Sequence, residues 1–119
     1  MAGGLGADVL AGVAGDDRFV FSSIKDSGTT HATRDIIFDF ASGDLIDLGG
    51  IDANTKTTVD DFFDFKGNNV PFTNVAGQLR AVTEGPDTIV QGDVNGDGKA
   101  DFTIDVVGAH TFVLGDFVL

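Results

Sequence analysis

The chain has 119 residues, 42% of them hydrophobic, and its 19 acidic against 7 basic side chains give a net charge of −12. That length suits a single domain with a modest core, and the charge weighs against nucleic acid or an anionic membrane as partner, because both polyanions require basic patches. A divalent cation is the better candidate, since it would relieve the chain's self-repulsion.

There is no cysteine, so neither a disulfide framework nor a thiolate metal site exists. The start MAGGLGADVL lacks a basic region and a continuous apolar stretch, so it does not read as a signal peptide. No apolar run approaches the ~20 residues of a membrane-spanning helix, so membrane insertion is not expected.

Residues 3–11, GGLGADVLA, and 12–20, GVAGDDRFV, superimpose with a period of nine: Gly3 falls on Gly12, Gly6 on Gly15, Asp8 on Asp17 and Leu10 on Phe19. In such a G-G-x-G-x-D-x-U-x block, with U apolar, the glycines permit a tight left-handed turn and the aspartate points its carboxylate into it. The U residue then heads a short inward-facing strand. Carbonyls of Gly3, Gly4, Leu5 and Gly6 with Asp8, and those of Gly12, Ala14 and Gly15 with Asp17, make the oxygen-rich set that a hard cation such as calcium prefers. The first block matches throughout, whereas the second carries Val13 at its second glycine position.

Further along, RDIIFDF (34–40) alternates with Ile36, Phe38 and Phe40 on one face, as a half-buried strand would. Within and after it, DFASGD (39–44) offers Asp39 and Asp44, which either complete a cage below the second glycine turn or flank a solvated turn. LIDL (45–48) is a second strand. TVDDFFDF (58–65) has helical spacing, with Val59, Phe62 and Phe63 on one side and Thr58 as N-cap before two acids, and predicts one short helix. QLRAV (78–82), DTIVQGDV (87–94), ADFTIDV (100–106) and HTFVL (110–114) predict further strands, with Phe102, Ile104 and Val106 sharing a face.

DVNGDGKAD (93–101) is the second candidate metal segment. Asp93, Asn95 and Asp97 take the first, third and fifth places of a calcium loop, Gly98 the sharp turn, Lys99 a backbone carbonyl and Asp101 the ninth place. Ile104 stands where an EF-hand has its bidentate glutamate, and the flanks read as strands. The same residues also suit a hairpin whose glycines supply positive φ, so both readings stay open. The histidines, His31 and His110, each stand alone, and no serine lies in a G-x-S-x-G context.

The glycine blocks resemble those of RTX repeat proteins, in which a parallel β-roll alternates its turns between two edges and calcium lies between turns stacked along one edge. On that geometry the two turns here lie on opposite edges, each half a site unless a neighbouring turn completes it. RDIIFDFASGDLIDL (34–48) is similar to the segment after the roll in the serralysin-type C-terminal domain, and GDVNGDGKADFTI and the final DFVL resemble its last hairpin and its terminus.

The resemblance covers nearly the whole chain and implies an all-β fold, the end of a parallel β-roll followed by an antiparallel strand cap with one short helix. It implies one domain over 1–119, with roll turns over 1–21 and a cap and secretion-signal region over 22–119. It further implies a non-catalytic, calcium-binding module that assists type I secretion and calcium-triggered folding of a secreted bacterial protein, with a larger parent upstream. Asp116, Phe117, Val118 and Leu119 would present the uncleaved signal to an ABC exporter. Two other readings are a calcium-dependent adhesive or matrix-binding module and a non-catalytic fragment of a secreted protease, lipase or polysaccharide-active enzyme. The H-E-x-x-H zinc helix of serralysin-type proteases is missing, so proteolysis does not carry over.

Overall fold

The computed structural model describes residues 7–13, 15–30, 32–56 and 61–119. Two short strands come first, β1 (Val9–Leu10) and β2 (Arg18–Val20), each beginning one residue after the aspartate of a glycine block. The next two strands repeat that pair: β3 (Asp35–Ile37) runs parallel to β1 with Val9 opposite Ile36, and β4 (Leu45–Asp47) parallel to β2 with Arg18 opposite Leu45. The chain thus alternates between two sheets, and each pass is one coil of a parallel roll.

After β4 the chain builds β5 (Asp64–Asn68), β6 (Gln78–Glu84), β7 (Asp87–Asp93) and β8 (Phe102–Val106), then a 3-10 turn (Leu114–Asp116) and β9 (Phe117–Val118). The six-stranded sheet has the order β1-β3-β8-β7-β6-β5 and the three-stranded sheet the order β2-β4-β9. Since β8 runs parallel to β3 and β9 parallel to β4, the last strands form a third coil. The all-β class with mixed parallel and antiparallel strands is as expected, but the antiparallel strands β6, β7 and β8 belong to an excursion between the second and third coils, opened by β5 parallel to β6, after which the roll resumes.

Partners across adjacent strands point the same way. Leu10, Ile37 and Val106 therefore line up on one inner face and Phe19, Ile46 and Phe117 on the other, and all six are buried. The excursion adds Phe63, Leu79, Ala81, Val90, Phe102 and Ile104 to the same core. Its hairpin closes with Glu84 opposite Asp87; Gly85 has φ +60°, and Pro86 then supplies the negative φ that a two-residue loop of this kind uses. Arg34, only 4% exposed, pairs with Glu84 at 3.2 Å and so ties the second coil to the tip of that hairpin.

Three expectations are corrected. In 34–40 Phe40 is buried in the core as expected, but on the strand itself the inward residues are Asp35 and Ile37, both fully buried, while Ile36 is half-buried and Phe38 exposed, because parallel pairing puts Ile37 level with Leu10. The short helix is absent over the described part of 58–65, Thr58 and Val59 lying outside the described residues. There Phe63 and Phe65 alternate inward, Phe63 packing edge-on to Phe102 at 5.6 Å and Phe65 against Phe117 at 5.0 Å, while Asp64 N–H donates to Gly77 O. Pairing with β6 thus imposes a period of two on a helical pattern, and Phe62 is left exposed. HTFVL forms no strand, because a side chain takes the place of a sheet partner. Phe112 N–H donates to Asn68 Oδ1 at 3.0 Å, and Asn68 Nδ2 donates to Phe112 O at 2.8 Å.

Gly92, in β7, faces Phe102 so closely that an added Cβ would lie 2.3 Å from Phe102 Cε1 and 3.1 Å from Phe63 Cε1. Gly92→Ala is therefore expected to destabilise the fold by about 1–3 kcal/mol through overpacking, read as a lower urea midpoint at unchanged slope. A midpoint equal to the parent's would show that the two rings move aside freely.

Candidate metal sites

The coil register stacks aspartates at both edges of the roll. One step before the paired residues Val9 and Ile36, Asp8 lies beside Asp35, and one step before Arg18 and Leu45, Asp17 lies beside Asp44. Each stack is linked by a backbone donor, Asp8 N–H to Asp35 Oδ1 at 2.8 Å and Asp17 N–H to Asp44 Oδ1 at 2.9 Å. At the second edge Asp39 accepts from Gly12 N–H at 2.9 Å and from Val13 N–H at 2.6 Å, and Asp44 Oδ2 accepts from Ala41 N–H at 2.9 Å. Asp39 and Asp44 thus sit below the second glycine turn, each carboxylate satisfying two turn amides.

The turn itself is shaped around a carboxylate. A Cβ on Gly12 would lie 2.2 Å from Asp17 Oδ2, so only glycine leaves room for that group. Gly15 has φ +90° and Val13 φ +70°. Val13, where the repeat calls for glycine, therefore holds a left-handed conformation that costs a side-chain-bearing residue about 1–2 kcal/mol. Gly3, Gly4, Leu5, Gly6 and Ala14 lie outside the described residues, as does His31. Asp8 Oδ2 and Asp17 Oδ2 are buried without a hydrogen-bond donor. All-oxygen ligands with orphaned carboxylate oxygens fit a hard cation such as calcium, which Asp8 and Asp17 with their turn carbonyls would hold.

Two acidic residues at the first edge escaped the sequence reading, Asp26 and Asp35. A signal for both was present: Asp8, Asp17, Asp26, Asp35 and Asp44 follow one another at intervals of nine. The glycines vanish after the second block while the aspartates persist, and Ile37 and Ile46 keep the apolar place two residues on. Coils one and two are offset by 27 residues, which is three blocks, so one whole block is extruded as a loop without loss of phase. Burial pushes the Asp35 carboxyl up to about 6; the Asp8 N–H opposes this, and the charges of Asp8 and Asp26 reinforce it.

The loop 93–101 joins β7 to β8. Asp93, Asp97 and Asp101 bring carboxylate oxygens within 4.8 Å of one another. Asp93, fully buried, accepts from the N–H groups of Asn95, Gly96 and Gly98. Asn95 Oδ1 accepts from Asp97 N–H, Asp97 Oδ1 from Lys99 N–H and Asp101 Oδ2 from Val94 N–H. Gly96 and Gly98 have φ +77° and +79°. The segment is therefore a hairpin connection whose acids also converge. Burial, together with the charges of Asp97 and Asp93, raises the Asp101 carboxyl, a repulsion that a bound cation would relieve. At the terminus Asp116 Oδ2 accepts from Val113 N–H, Phe117 is buried and Val118 O accepts from Leu48 N–H. Leu119 packs against the core.

Because Asp35 holds its proton more tightly folded than unfolded, its contribution to stability is fully present below pH 3.8 and is lost as pH rises through about 6. Asp35→Asn keeps the acceptor for Asp8 N–H and removes the titration. In chelator, this variant is expected to gain stability relative to the parent between about pH 4 and about pH 7, read from paired urea midpoints. A difference that stays constant over that range would show that Asp35 titrates normally.

The comparison with known families agrees with this architecture. The sequence matches the family described as peptidase M10 serralysin C terminal over residues 1–119. No individual curated protein matches it. A roll of three coils, acidic turns and a match along the entire chain lead to one conclusion: the chain belongs to the serralysin C-terminal family, the non-catalytic part of that secreted fold.

Proposed function

We propose that this chain is a calcium-binding module that assists type I secretion of a bacterial exoprotein and folds when it meets extracellular calcium. The observation that carries the reading is the pair of aspartate stacks, with buried carboxylate oxygens that no donor satisfies, in a chain of net charge −12. Calcium at the turns and in the 93–101 loop supplies positive charge where the fold gathers negative charge. The chain's own residues provide the oxygens, hold them at fixed spacing and keep water from Asp35 and Asp93. A ligand that binds only the folded form at a hundredfold excess over Kd stabilises it by about 2.7 kcal/mol. In calcium-poor cytosol the same chain stays loose enough to be exported, and residues 1–119 then fold as one unit outside.

The terminal DFVL supports the same order of events. In the folded chain Phe117 stacks against Phe65 and against Phe112 at 5.5 Å and Val118 pairs with Asp47, so an ABC exporter that reads these residues must do so before the roll closes. A parent protein upstream would be drawn out behind the same signal.

Millimolar calcium is expected to raise the melting temperature well above that in chelator, and Asp93→Ala combined with Asp97→Ala to remove one site from a calorimetric titration and part of that rise. Equal melting with and without calcium would overturn the calcium reading, and a double variant that titrates like the parent would make 93–101 only a turn. Residues 1–119 fused behind an unrelated passenger are expected to be exported by a matching type I system and, without Asp116 to Leu119, retained. Equal export of equally stable fusions would reduce those four residues to a strand.

A further inference from the structure

We infer that Asn95–Gly96 is a site of spontaneous deamidation, and that the buried carboxylate of Asp93 holds it unreactive for as long as the loop between β7 and β8 stays closed. This chemistry belongs to the chain itself and needs no metal.

The reaction is an attack by a backbone nitrogen on the side chain before it. Gly96 N, losing its proton, bonds to Asn95 Cγ and closes an imide ring; the Cγ–Nδ2 bond breaks and that nitrogen leaves as ammonia. Water then opens the ring at either carbonyl, which leaves aspartate or isoaspartate at position 95. Glycine favours the attack because it has no side chain to hinder the nitrogen. Of the chain's asparagines only Asn95 precedes a glycine, and both residues are half-buried, within reach of water. The fold cannot exchange that glycine for a safer residue, since Gly96 has φ +77° and a Cβ there would lie 3.1 Å from Ala76 N.

Closed, the loop opposes each step. Gly96 N–H donates to Asp93 Oδ1 at 2.8 Å and Gly98 N–H to Asp93 Oδ2 at 2.9 Å, so both oxygens of a fully buried side chain are fixed. Removing the Gly96 proton would set a negative nitrogen beside a negative carboxylate away from bulk water, where like charges repel most strongly. The target carbon is restrained as well: Asn95 Oδ1 accepts from Asp97 N–H at 3.1 Å, and Nδ2 donates to Asp101 Oδ1 at 3.3 Å. An open loop loses these bonds together, so the reaction follows the population of open loop. Its products do not close as before. Isoaspartate carries the backbone through Cβ and lengthens the path between Asp93 and the Gly96 N–H that it binds. Aspartate removes the Nδ2 donor to Asp101 and adds a negative charge where Asp93, Asp97 and Asp101 already converge. Deamidation therefore marks, irreversibly, the chains whose loop has stood open.

To test this, the full chain is incubated in mildly alkaline buffer with calcium, with chelator and in concentrated urea, and conversion of Asn95 is followed by peptide mass spectrometry. Hydrogen exchange of the Gly96 and Gly98 amides is read alongside. Conversion is expected to be slower by roughly tenfold or more in chains whose amide spectrum is folded than in urea, with both glycine amides protected together. Asp93→Asn, where it remains folded, is expected to lose most of that protection. Equal conversion in folded and urea-treated chains overturns the inference, as does a Gly96 amide that exchanges as fast as in urea or a folded Asp93→Asn as slow as the parent. Should that variant not fold, exchange of the two parent amides decides. Protection in folded chains with and without calcium alike keeps this inference and counts against the calcium reading, whereas protection gained only with calcium agrees with both.

Discussion

Everything in this molecule depends on the parallel register between its first and second coils. That register sets Val9 against Ile36 and Arg18 against Leu45, which simultaneously stacks apolar side chains inside the roll and aspartates at its edges. The two outcomes cannot be separated, since side chains two residues apart on a strand point the same way. A one-residue slip would expose Leu10 and Phe19 and turn every stacked carboxylate outward. Burial of the apolar residues thus forces acidic groups together, and the N–H groups of the turns offset only part of the resulting repulsion.

The excursion answers a different problem. The two- and three-residue strands of the first two coils bury little surface individually and by themselves make a thin core. By leaving the roll after β4 and returning at β8, the chain sets β5, β6 and β7 beside β8 in the same sheet, extending that core with Phe63, Leu79 and Phe102. The return also threads the last residues into the third coil. Closure of the third coil therefore requires Phe117 and Val118, which pair with β4.

The acidic turns give the fold a conditional character. With a net charge of −12 and carboxylates at both edges and in the loop before β8, the folded state gathers like charge that the unfolded chain spreads out. Neutralisation at those places would favour the compact state over the unfolded chain.

The sequence alone determined the period of nine, the inward-facing Leu10 and Phe19, the acidic character of the turns, and most strands of the excursion, because each is written in local spacing. It also held the aspartate period through Asp26, Asp35 and Asp44, though loss of the accompanying glycines hid it. Tertiary structure alone decided which face of 34–40 is buried, since that depends on pairing with Leu10 27 residues earlier in the stack. It made 61–65 extended despite a helical pattern, because β6 offers a backbone ladder that a helix there would leave unpaired, and it replaced a strand at 110–114 with the amide of Asn68. It also decided that Asp8 and Asp35 meet at one edge, because residues 27 apart along the chain come together only when the intervening block is extruded and the coils close over it.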